Sequence, residues 1–121
     1  MLTWRRPDET TLASWADPAE ATEHGAEAVA AVCIEATLGL VVVERARRGT
    51  RVDFYLGRIG DGLERAALLE VGGTDAGSIA GVLRDKTAQA RQNPDQLPAL
   101  AVAVRFREPR VMISDVPPGR R

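Results

Sequence analysis

The chain of 121 residues is short of the side chains that build the most recognisable sites. It holds one cysteine, Cys33, and one histidine, His24, which excludes an intrachain disulfide and a zinc site made of cysteine and histidine. Such cysteine usage fits a reducing cytoplasm. Lysine is equally scarce: Lys86 stands alone against fifteen arginines, a bias that, with the abundant alanine, is expected of a GC-rich bacterial coding sequence. No run reaches the roughly 18 apolar residues of a membrane span, and "MLTWRRPDETTLASWADP" has no apolar core of a secretion signal, so a cytoplasmic protein without a membrane partner is expected. The net charge of −1 leaves no global attraction for a polyanion, so any such binding must come from a local patch. No serine or cysteine nucleophile stands out as a partner for His24, which reads as polar surface beside Glu23. "GRIGDG" lacks the strand-to-helix context and the Lys-Ser/Thr ending of a phosphate loop.

What is present suits one globular domain: 45% of residues are hydrophobic, in a chain of a common domain size. Residues 1–17 read as an N-terminal extension in which Trp4 and Trp15 anchor a segment to the core, 18–116 as a single α/β domain, and 117–121 as a flexible tail. "DPAEATEHGAEAVAAVCIEATLG" predicts a helix of about 20 residues, with Asp17 as N-cap, Pro18 at the first helical position, Glu20 completing a capping box and Gly39 as the stop. Val29, Val32, Cys33 and Ala36 form its apolar stripe, and Glu20, Glu23 and Glu27 share a polar side. A β-branched run from Leu40 to Glu44, an Arg-rich turn with Gly49, a strand from Arg51 to Gly57 and a third from Ala66 to Val71 predict a meander. Gly72 and Gly73 then read as sheet breakers, Thr74 or Asp75 as a cap, and "AGSIAGVLRDKTAQARQ" as a second helix. "ALAVAVRF" has the continuous apolarity of a strand covered on both faces, and "RVMISDV" adds an optional edge strand. The order α-β-β-β-α-β gives an α+β class with a mixed sheet, because a right-handed crossover through the second helix makes the fourth strand parallel to a neighbour.

Two acidic residues interrupt the apolar strands. If Gly57 pairs with Ala66, antiparallel pairing sets Asp53 directly opposite Glu70, on one face and with Cβ atoms about 5 Å apart. Like charges so placed repel, and a divalent cation between them offsets the repulsion. The alternative is a solvated hairpin face, or pairing of both carboxylates with nearby arginines.

"VDFYLG", "LLEVGG" and "ATEHGAEAV", in this order of elements, resemble the PD-(D/E)xK, or restriction-endonuclease-like, superfamily over about residues 18–106. The resemblance implies an α-β-β-β-α-β core, Mg²⁺ or Mn²⁺ as cofactor, Asp53 and Glu70 as catalytic metal ligands and Glu23 or Glu27 as the helical ligand. The position of the motif lysine, two residues past Glu70, is Gly72 here. Some members of the superfamily carry the lysine on the second helix, where Lys86 falls as the third catalytic residue; Lys86 beside Arg84 and Asp85 is equally an ordinary solvated helix face. The implied function is phosphodiester hydrolysis on nucleic acid, with Arg45, Arg47, Arg48 and Arg51 of "ERARRGTR" meeting phosphates through bidentate contacts; the same arginines also suit a hairpin tip guarded by charge. The alternative function is a non-catalytic interaction module, an immunity, antitoxin or accessory subunit. A protein partner or a homodimer fits so small a recognition surface.

Overall fold

The computed structural model describes residues 18–48, 51–92 and 96–118. The expectations for Trp4, Trp15, Asp17, Gly49 and the last residues of the tail lie outside these. Two helices and five strands follow in the order α1 (Pro18–Leu38), β1 (Leu40–Arg48), β2 (Arg51–Arg58), β3 (Ala67–Thr74), α2 (Ile79–Arg91), β4 (Ala99–Arg105) and β5 (Arg110–Val116). The strands form one mixed sheet in sequential order, β3 and β4 being parallel and the other neighbours antiparallel. The class is α+β, as expected. No helix among the described residues is long and apolar enough to cross a membrane.

The helices cover opposite faces of the sheet. Ala26, Ala30 and Ile34 of α1 pack with Leu56, Leu69, Val71, Leu100, Val102 and Val104. On the other face Ala90 and Leu83 of α2 pack with Tyr55, Leu68, Ala99 and Ala101. β4 is buried along Ala99–Val104 because it has a helix on each side, which accounts for its unbroken apolar run.

Four sequence expectations are corrected. The stripe on α1 is only in part Val29, Val32, Cys33 and Ala36: Val29 packs against the core and Cys33 is buried, but Val32 and Ala36 are exposed, while Ala26, Ala30 and Ile34 are fully buried. The cause is close approach. A methyl group added at Gly73 of β3 would come within 2.7 Å of Ala26 Cβ and 3.0 Å of the Thr22 carbonyl oxygen, so the helix presents its small residues to the sheet. Gly72 and Gly73 accordingly do not break the sheet; they continue β3 and pair with Ala103 and Val104. The cap of α2 is Ser78, whose hydroxyl accepts from the Gly81 amide at 3.1 Å; Thr74 Oγ1 closes the preceding turn by accepting from Gly77. Finally, β1 extends through Arg48, so Arg45 and Arg47 are residues of an edge strand and not of a turn.

Candidate functional site

β2 and β3 pair over Phe54↔Leu69, Tyr55↔Leu68 and Leu56↔Ala67. This is the register read from the sequence, and one further step along it brings Asp53 across from Glu70. The ladder ends before that step. β2 stays with β1, Ala46 facing Asp53, whereas β3 stays with β4, Ala101 facing Glu70. The two carboxylates therefore flank the point where the halves of the sheet part.

Strand alternation sets both on the face covered by α2, in line with Tyr55 and Leu68. Each is 5% exposed, and they are the buried charged residues among those described. Ionised carboxylates are costly to bury without partners, and both are engaged by other groups. Oδ1 of Asp53, however, is shielded from solvent and accepts no hydrogen bond.

Lys86 reaches the same face. A methyl group at Gly72 would approach Val82 Cγ1 to 2.6 Å and Lys86 Cε to 2.8 Å, so the lysine stem crosses β3 two residues past Glu70. Its ammonium donates to Gln89 Oε1 at 3.3 Å. Sequence reasoning had singled out the lysine but not Gln89, which reads as an ordinary polar residue on a helix.

The helical carboxylates are placed differently. Glu23 and His24 are exposed and Glu27 is half-buried. Burial pushes the Glu27 carboxyl above the usual range; His24 and Arg45 pull it down, Glu23 pushes it up and Lys86 pulls it down. Among the described residues no three of His, Cys, Asp and Glu gather closely enough to hold a metal ion by themselves. Asp53 and Glu70 supply two carboxylates, which suits Mg²⁺: it keeps several waters and takes one or two carboxylates plus phosphate oxygens.

Arg45 and Arg47 are exposed and pair with Phe54 and Val52, which directs them to the α1 face, opposite Asp53. Arg48 and Arg51 pair with each other at the end of the hairpin. Near the other end of β2, Arg65 binds Glu44 through two hydrogen bonds of 2.7 and 2.6 Å while its guanidinium stacks 4.0 Å from the centre of the Tyr55 ring. This clamp ties the loop after β2 to β1 and was not legible in the sequence, because it joins residues of three separate segments. Cys33 is buried, as expected, and burial raises its thiol, which makes it a core side chain.

No protein-family model, curated protein or solved structure matches the chain.

Proposed function

We propose that the chain is a small nuclease-fold protein that acts on nucleic acid, akin to the PD-(D/E)xK superfamily, in which Asp53 and Glu70 hold Mg²⁺ or Mn²⁺ and Lys86 assists from α2. The observation that carries this reading is the burial of Asp53 and Glu70 on one face, at the point where β2 leaves β3, with the lysine stem laid across Gly72 on that same face. A divalent cation held there supplies Lewis-acid polarisation of a phosphodiester. The residues of the chain do the rest. Asp53 and Glu70 provide the negative charge that retains the cation, and Lys86 supplies positive charge to stabilise the charge developing on phosphate. Glu23 and Glu27 belong to α1, which covers the other face of the sheet, so the proposed cation is held by Asp53 and Glu70 without them.

The test is cleavage of plasmid, single-stranded DNA and RNA in Mg²⁺ or Mn²⁺, with Asp53→Asn and Glu70→Gln beside the wild type. Each variant is expected to lose about 10²-fold or more of the rate while remaining folded. Mn²⁺ at about 100 times its Kd should also stabilise the wild type by about 2.7 kcal/mol and neither variant, since a ligand that binds only the native state shifts unfolding by mass action. A second reading, a non-catalytic interaction module, draws on Gly72 in the motif-lysine position and on the exposure of Val32, Ile59 and Leu63. It requires no cleavage and no cation effect in the wild type.

A further inference from the structure

A lysine stem has four carbons and loses about 2 kcal/mol of rotamer entropy when fixed. Apolar packing alone leaves its charged end free to swing. In this chain the stem is confined on one side by the absence of a side chain at Gly72, which lets Cγ and Cε lie against β3. Its end is met by Gln89, three residues further along α2 and half-buried with it, whose side-chain oxygen takes one of the three ammonium donors. A neutral carboxamide directs the ammonium without cancelling its charge. The stem lies on the same face of the sheet as Asp53 and Glu70.

We propose that Gln89 is a positioning residue: it fixes the Lys86 ammonium at the end of a stem laid in the notch that Gly72 leaves in β3, on the face of the two buried carboxylates. Its catalytic consequence rests on the nuclease reading; the held geometry does not.

Lys86 is the only lysine in the chain, so protein labelled with lysine bearing ¹³C at Cε gives a single side-chain signal. In the wild type the two Hε protons should have distinct shifts, as befits a stem locked in one rotamer. Gln89→Met, which keeps the volume and removes the acceptor, should merge them. It should also lower kcat about 10-fold to 100-fold with KM little changed, the cost of a reacting group displaced by about 1 Å. Gln89→Glu, which keeps an acceptor oxygen but adds a charge that cancels that of the ammonium, should retain the split signal while kcat falls. Gly72→Ala pushes the stem from the other side and should merge the signals with Gln89 intact. Persistence of the split signal in Gln89→Met, or merged signals in Gln89→Glu, overturns the proposal. If the wild type cleaves no substrate the nuclease reading falls, and the NMR comparison still decides the role of Gln89 by itself.

Discussion

Among the described residues, Glu27 has a carboxyl whose charge state responds to its surroundings. Its carboxyl is raised, chiefly by burial, so the native state holds that proton more tightly than the unfolded chain does. The stability linked to it is fully present below the ordinary carboxylate range and is lost as pH rises through the raised value. Glu27→Gln should therefore melt higher than the wild type at pH 7, and the gap should close toward about pH 4, where the unfolded carboxyl also protonates. Thermal melts across that range check this, and a gap that widens on acidification would contradict it. The contribution of Lys86 to the field at Glu27 gives a second handle: Lys86→Met removes a favourable charge and should enlarge the effect of Glu27→Gln at pH 7.

Among the elements, β3 is the most constrained, since α1 and α2 both press on it at adjacent glycines. The two positions differ in what a methyl group would meet. At Gly72 it meets the side chains of Val82 and Lys86, which can shift; at Gly73 it meets Ala26 Cβ and the backbone oxygen of Thr22, which cannot without moving α1. Gly72→Ala should cost about 1–3 kcal/mol, with part recovered in Gly72→Ala/Val82→Ala, whereas Gly73→Ala should lie at or above the top of that range. Urea unfolding of the three proteins measures the order. The glycine pair also marks where sequence reading stopped. The register of β2 on β3 was legible because apolar alternation and the turn glycines Gly60 and Gly62, both at positive φ, agree on one loop length. The helical stripe on α1 was misjudged because valines outrank alanines in hydrophobicity, yet close approach at Gly73 favours the smaller residue. Lys86 drew notice through its rarity, but no spacing rule links position 86 to position 72, and Gln89 had no signal beyond its place one turn after the lysine.

The whole molecule is two blocks of unequal cohesion. β3, β4 and β5 are joined by ladders of seven residue pairs each and clasped between the helices, while the β1–β2 hairpin meets β3 through only three pairs, reinforced by the Arg65 clamp that ties the following loop to Glu44 on β1. Native-state hydrogen exchange should show the amides of β1 and β2, residues 40–48 and 51–58, opening together at lower free energy than those of Leu69–Val71 and Leu100–Val104. Equal protection throughout would mean that the hairpin and the rest of the sheet unfold as one.

That narrow seam sets how far apart two negative charges can drift. Asp53 and Glu70 lie one residue beyond the last of its three rungs, so no rung of their own fixes their spacing. If a cation is held there as proposed, drawing both carboxylates inward also draws β2 toward β3 beyond the last rung, so filling that gap and narrowing it coincide.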